Sequence, residues 1–286
     1  MTNAIEIKGL SKSYGDFALE QVDLTVPGGS IVGLIGENGA GKSTTLKAIL
    51  NLIHPDSGSI RVFGQEVSEV GPDYKEDIGV VLDEVSFHNI LSATEVGTIL
   101  SGVYQNWDDV LFRDYLDKFQ IPLKKKIKGY SKGMKMKLAI AAALAHHPRL
   151  LLLDEATSGL DPVVRSELLD EFLNFIRDED HSILLSSHIT SDLERAADYV
   201  VYLHRGRVKL QGTKDELLES YGRLACSRSD LEKIDPVFLV GKRLSGFSCE
   251  ALINDRRGFS KRYPGLMVDP VTLEDIMVFT VRGEQS

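Results

Sequence analysis

Apolar and polar positions alternate along residues 4–10 (Ala-Ile-Glu-Ile-Lys-Gly-Leu) and, less regularly, along 17–26, until Pro27-Gly28-Gly29 breaks the pattern. A period of two gives a strand one apolar and one polar face, so these segments predict a small antiparallel sheet wet on one side. Residues 30–35 (Ser-Ile-Val-Gly-Leu-Ile) and 149–153 (Arg-Leu-Leu-Leu-Leu) read differently, as short apolar runs without alternation. That is the pattern of a strand buried on both faces. Segments 59–63, 78–82 and 182–186 predict further strands, and 44–50 opens a helix that His54-Pro55-Asp56-Ser57-Gly58 stops. From about residue 92 to 144 the spacing changes to three and four. Val96, Ile99, Leu100 and Val103 are predicted to share one helical face, and Leu111, Tyr115, Leu116 and Phe119 another, which inserts a helical subdomain between strands.

Composition narrows the class of protein. A chain of 286 residues, 43% hydrophobic and 26% charged, can bury one large domain plus a smaller appendage. Its net charge of -9 opposes a large sequence-independent footprint on a phosphate backbone, so no nucleic acid is expected as partner. No apolar run reaches the roughly 20 residues that cross a bilayer, and the first residues lack the layout of a signal peptide, which predicts a protein that stays in the cytoplasm unless tethered. Cys226 and Cys249 match no metal-ligand spacing and read as reduced structural thiols. The lysines at 124–126 and 128 read as a solvated loop.

Chemistry concentrates first in Gly36-Glu37-Asn38-Gly39-Ala40-Gly41-Lys42-Ser43, which fills every fixed position of the pattern G-x-x-x-x-G-K-S/T. Glycines let successive backbone N–H groups point inward at phosphate oxygens, Lys42 adds positive charge for the outer phosphates, and the Ser43 hydroxyl can hold Mg²⁺. A predicted strand precedes the loop, and a predicted helix begins at Thr44. The stretch is therefore read as a nucleoside-triphosphate site.

A second concentration ends the apolar run at Asp154-Glu155. A carboxylate at the carboxyl end of a buried parallel strand lies on the same sheet edge as the phosphate loop, where Asp154 can reach Mg²⁺ and Glu155 an attacking water. His188, just beyond the strand predicted at 182–186, stands on that edge too, either as a structural histidine or as a donor to the terminal phosphate. Tyr14, between the first two strands, can pack on the sheet or offer its ring to a flat heterocycle.

Together these residues resemble the ATP-binding cassette family, specifically the nucleotide-binding subunit of a transporter, over residues 4 to about 218. The resemblance implies an α/β phosphate-loop NTPase: a RecA-like core sheet, an N-terminal antiparallel β subdomain and an inserted helical subdomain at about 86–147. It implies that Tyr14 stacks on adenine, that residues 36–44 including Thr44 cradle ATP, that Asp154 serves Mg²⁺, and that Glu155 is the catalytic glutamate. His188 matches the histidine that senses the terminal phosphate, and Ser158-Gly159-Leu160-Asp161 the dimer-contact loop. Tyr130-Ser131-Lys132-Gly133-Met134 occupies the signature, where Ser131 and Gly133 fit and the other three positions depart. In this family the signature of one subunit meets the ATP held by the other. Asp83 stands where a magnesium-touching glutamine is usual and is taken as a metal ligand.

The function that this resemblance implies is an ATPase working as a homodimer or a related heterodimer, driving a separate transmembrane permease from the cytoplasmic face of the membrane. Residues 219–286 leave the cassette pattern and predict a small C-terminal α/β appendage. Its closing segment Pro270-Val271-Thr272-Leu273-Glu274-Asp275-Ile276 resembles the tail of cassette subunits from bacterial drug, antibiotic or peptide exporters. Two alternatives remain at this level: a soluble cassette protein acting on ribosomes or DNA, and an ATP-binding subunit that turns over slowly because of Lys132, Met134 and Asp83.

Overall fold

The computed structural model describes residues 2–83, 87–245 and 248–283. In chain order come β1 (Ile5–Tyr14), β2 (Phe17–Val26), β3 (Ile31–Ile35), α1 (Lys42–Ile49), β4 (Ser57–Val62), β5 (Gln65–Glu66) and β6 (Ile78–Val81). The helices α2 (Ala93–Leu100), α3 (Asp109–Lys118) and α4 (Lys132–Leu144) come next. The chain then returns through β7 (Leu150–Asp154), α5 (Pro162–Phe175), β8 (Ser182–Ser187), α6 (Thr190–Ala196), β9 (Tyr199–His204), β10 (Arg207–Thr213) and α7 (Lys214–Ser220). It closes with β11 (Gly222–Cys226), α8 (Arg228–Leu231), β12 (Leu239–Ser245), β13 (Ser248–Ile253), α9 (Arg256–Arg262), β14 (Val268–Asp269) and α10 (Leu273–Gly283).

Three sheets organise these elements, in the orders β2-β1-β4-β5, β10-β9-β3-β8-β7-β6 and β12-β13-β11-β14. The first is antiparallel, as the alternation of residues 4–26 predicts. In the second, β6, β7, β8, β3 and β9 run parallel, and β10 pairs antiparallel on the edge. Each residue of β3 and β7 is buried. The pleat sends Ile31, Ile35, Leu151 and Leu153 to a core shared with the helical subdomain, α5 and α6, and Val32, Leu34, Leu150 and Leu152 to a core shared with the antiparallel sheet and α1. That two-sided burial is why these runs do not alternate. Each fully buried leucine contributes about 1.5–3 kcal/mol.

The helical subdomain forms between β6 and β7, and of the face expected for its first helix Val96 is buried and Leu100 packs on the core, while Ile99 and Val103 do not. Ile99 is 50% and Val103 61% exposed, while α2 buries Ala93, Val96 and Gly97. A Cβ on Gly97 would stand 2.7 Å from Phe112 Cε1, so α2 approaches α3 closely at this glycine. On α3, Leu116 and Phe119 are buried as expected, with Phe112 beside them. The expected start of this subdomain at residue 86 lies outside the described residues. Ser92 opens α2 with a reciprocal cap to Glu95, and Lys126 of the basic stretch pairs with Glu95 at 2.9 Å, the remaining lysines of the loop being exposed.

The C-terminal sheet begins at Gly222, after α7, which spans the expected division at 218/219. One of its faces forms a separate small core with Leu224, Ala251, Ile253 and Phe259. Leu252 and, on α10, Leu273, Ile276 and Phe279 join the main core instead. Glu194 of α6 accepts from the Leu273 backbone N–H at 2.6 Å, which fastens α10 to the helix just beyond His188. Cys226 and Cys249, distant in sequence, face one another in register on β11 and β13, both as free thiols.

Candidate nucleotide site

Parallel pairing brings the chemistry to one sheet edge. Ile35 pairs with Ser187, Asp154 with Ser186, and Val81 with Leu153, so Gly36, His188, Glu155 and Asp83 all emerge at the carboxyl ends of neighbouring strands. The phosphate loop fills the turn from β3 into α1, and two of its glycines are sterically compelled. A Cβ on Gly36 would lie 2.4 Å from the Leu203 carbonyl oxygen. Gly41 has φ 113°, and its Cβ would lie 2.4 Å from Leu19 Cδ2. Ala40 is buried and locks the loop by donating its N–H to the Glu37 carbonyl at 3.1 Å and accepting from Gly206 N–H at 3.0 Å.

A cavity of about 230 Å³ opens over this loop, lined by Phe17, Glu37, Asn38, Gly39, Gly41, Lys42, Ser43, Thr44, Asp83 and Glu155. At its floor runs a chain of polar groups, buried at Lys42 and Glu155 and exposed at His188. Lys42 Nζ donates to the Gly36 carbonyl at 2.7 Å and the Glu37 carbonyl at 3.3 Å, and it stands 3.0 Å from Glu155 Oε1. The Lys42–Glu155 contact is one of charge, because Oε1 lacks an aligned hydrogen-bond donor. The other oxygen, Oε2, lies 2.6 Å from His188 Nδ1 and accepts from the His188 backbone N–H at 3.4 Å. Glu155 holds a left-handed φ of 51°, a conformation costly for a residue with a side chain.

Asp154 is 4% exposed and accepts from Ser186 Oγ through Oδ1 at 2.7 Å. Ser43 and Asp83 are exposed at the cleft. Oxygen donors from Ser43, Asp154 and Asp83 suit a hard cation such as Mg²⁺, which commonly takes few protein ligands and completes its shell with phosphate and water. The described residues contain no cluster of three acidic, histidine or cysteine side chains able to hold a metal.

Tyr14 stands at the hairpin tip opposite Phe17, 45% exposed, with Lys12 Nζ 5.6 Å from its ring centroid. Its neighbour Phe17, not its own ring, lines the cavity. Ser131 and Gly133 sit away from that cavity, at the start of α4. Ser131 caps the helix by accepting from Met134 N–H at 3.2 Å, and a Cβ on Gly133 would meet Val164 of α5 at 3.3 Å. The Lys132 ammonium turns back over Gly159 of the same chain, 3.0 Å from where a Cβ would stand. Asp161 caps α5 through Val163 and Val164 N–H.

Phe17, Ser186 and His204 join the site without having stood out in the sequence. His204 is 3% exposed, and its Nδ1 lies 3.0 Å from Glu37 Oε1 beneath the loop. Ser186 carried a readable signal as a polar residue ending an otherwise apolar strand. A larger cavity of about 740 Å³ lies elsewhere, between α3 and the end of α5, and includes Tyr115, His147, Phe175 and His181. No phosphate-loop residue lines it.

A glycine loop running into a helix N-terminus, with a lysine folded back along it, has the form that holds nucleotide phosphates and places the chain in the phosphate-loop class. Comparison with known proteins narrows that class. Residues 19–158 match the family described as ABC transporter. The chain is 36% identical over 228 residues to the daunorubicin/doxorubicin resistance ATP-binding protein DrrA of Streptomyces peucetius, covering 77% of this chain and 68% of that one. A solved ATP-binding subunit of an ABC transporter superposes with TM-score 0.68 at 33% identity, over 76% of this chain and 92% of the other. The cassette MJ0796, solved as a dimer in a post-hydrolysis state with ADP and Pi, shares the fold at TM-score 0.65 and 24% identity, over 73% and 98%. The chain belongs to the ABC transporter family. It is an ATP-binding ATPase subunit of that family, as the sequence motifs imply, and the ribosome- or DNA-directed alternative is not favoured.

Proposed function

We propose that this chain hydrolyses MgATP at the cleft over residues 36–44, and that two copies, or this copy and a related one, clamp two nucleotides to drive a separate membrane permease. The observation that carries the proposal is the Lys42–Glu155–His188 chain at the cleft floor. In it a cation, a carboxylate and an imidazole stand together beside the phosphate loop, which supports binding of a triphosphate, activation of a water and contact with the terminal phosphate as their roles. Incoming phosphate draws Lys42 away from Glu155 and the two carbonyls. Glu155 is then released to orient or deprotonate the attacking water, while His188 donates to the γ-phosphate as charge spreads over it. Mg²⁺, held by Ser43 and Asp154 with Asp83 alongside, would neutralise charge on the phosphates.

The small, open cavity fits the phosphate end of ATP, leaving the adenine to stack on Tyr14 at the hairpin tip. A second copy supplies the missing wall. Ser131 and Gly133 present the start of α4 on the surface, where a helix N-terminus offers donors and partial positive charge to an anion. Among the described residues no helix is long and apolar enough to cross a membrane. The likeness to ATP-binding subunits of transporters supports a separate permease as partner, with the ATPase peripheral on its cytoplasmic side. Residues 1–218 form the cassette and 219–286 the appendage. The likeness to DrrA, a resistance protein for two drugs, supports export of a drug, antibiotic or peptide as the direction of transport. The test is turnover. His188→Ala and Glu155→Gln are expected to keep ATP binding and lose most phosphate release, and normal turnover in either would overturn the role given to that residue.

A further inference from the structure

Two loops at the cleft floor are joined twice. One joint is the Glu155–His188 contact. The other lies two residues beyond Glu155 and four beyond His188, where Thr157 Oγ1 donates to Asp192 Oδ2 at 2.6 Å. The second oxygen of Asp192 accepts from Arg165 Nε at 2.5 Å, and Arg165 Nη2 donates to Ser191 Oγ at 2.7 Å. One carboxylate thus links the loop after β7, the first turns of α5 and the helix α6. Thr157 is fully buried and Asp192 is 1% exposed, so water does not substitute for either partner.

An acid in the first turn of a helix commonly serves that helix, by capping it or by meeting its dipole. Here α6 has no side-chain cap, and both oxygens of Asp192 turn to other elements. A buried carboxylate is costly unless its partners are well placed, and these are. Glu155 meanwhile keeps a left-handed backbone conformation, which persists only where the surroundings enforce it. The Thr157–Asp192 bond is one of the contacts that surround this loop on the side facing His188.

We propose that Asp192 is a positioning residue for ATP hydrolysis: through Thr157 and Arg165 it fixes the loop carrying Glu155 against the segment carrying His188. The inference rests on the roles proposed for Glu155 and His188. Without the joint, the carboxylate and the imidazole drift relative to one another, and a displacement of about 1 Å from the reactive arrangement costs on the order of tenfold to a hundredfold in rate. Phosphate binding by residues 36–44 is untouched, so the loss falls on kcat rather than KM.

The experiment compares the full chain with Asp192→Asn, Thr157→Val, Thr157→Ser and Glu155→Gln, measuring MgATP turnover and the NMR chemical shifts of the His188 ring at one fixed pH. Asp192→Asn and Thr157→Val are expected to lower kcat about tenfold or more with KM within about twofold, and to displace the His188 ring signals. Thr157→Ser keeps the hydroxyl and is expected to restore both. If Asp192→Asn does not fold, the Thr157 pair decides, because neither substitution touches the Asp192–Arg165 charge pair. Lowered melting temperature with unchanged kcat and unchanged His188 ring signals would overturn the inference, leaving Asp192 a purely structural residue. Normal turnover in Glu155→Gln would overturn the underlying assignment instead, and the two failures are told apart by which variant stays active.

Discussion

Glu155→Gln keeps the shape of the cleft floor and removes one charge, so it measures what the Lys42–Glu155 contact is worth. The two groups are 3.0 Å apart, with side chains 5% and 9% exposed. Unit charges at that separation attract by about 5.5 kcal/mol at an effective dielectric of about 20. Desolvation of both groups offsets much of this, and Lys42 retains the Gly36 and Glu37 carbonyls, so the net loss to the nucleotide-free fold is about 1–3 kcal/mol. Triphosphate binding must break the same charge pair in the unsubstituted chain, whereas in the variant only the bonds to the two carbonyls remain to be broken. At about 1.4 kcal/mol per tenfold, ATP is expected to bind Glu155→Gln roughly five- to a hundredfold more tightly. Denaturant unfolding without nucleotide gives the first quantity, and calorimetric titration with ATP at fixed Mg²⁺ the second. An affinity unchanged or weaker, with stability also unchanged, would refute the reasoning, because the ion pair would then hold nothing that ATP displaces.

Three further outcomes are open to measurement. Gly41→Ala places a Cβ at φ 113° against Leu19 and Phe17, and is expected to cost about 1–3 kcal/mol in denaturant unfolding and to abolish nucleotide binding; retained binding would show the turn to be tolerant. Asp83→Ala should raise the Mg²⁺ concentration needed for half-maximal turnover, whereas an unaltered Mg²⁺ dependence removes Asp83 from the metal's surroundings. Hydrogen bonds from Lys126 and then Ser92 hold the Glu95 carboxyl at about 2, below its ordinary value of 4.5. A depressed folded-state value means that its contribution to stability is fully present above about pH 4.5 and is lost as pH falls through about 2. Carboxyl NMR titration reads this directly, and a midpoint near 4.5 would show the α2 cap to be open in solution.

The parts of the fold that the sequence exposes are those set by local chemistry. Spacing within residues 36–43 requires a phosphate loop because each fixed position answers a steric or electrostatic demand, and Gly36 and Gly41 are indeed walled in by Leu203 and Leu19. The unbroken leucines of β7 signal two buried faces, and the acids that end it fall on the shared edge. The face of α2 is only half legible, for a physical reason. Val96 and Leu100 follow the spacing, but the close approach to Phe112 is made by Gly97, through absence of bulk, while Ile99 turns outward and α2 ends before Val103. The joint of Thr157 with Asp192 and the register of Cys226 with Cys249 depend on segments that meet only once the sheets have formed. Neither has a local signature.

Completion of one copy's cleft by Ser131 and Gly133 of another, around trapped nucleotide, is the central claim. Sedimentation of Glu155→Gln with and without MgATP, repeated with Ser131→Arg added, tests it most directly. One chain is expected without nucleotide, two chains with MgATP, and one chain again when arginine blocks the start of α4. A species that stays single at saturating MgATP, or pairs regardless of the arginine, would contradict it.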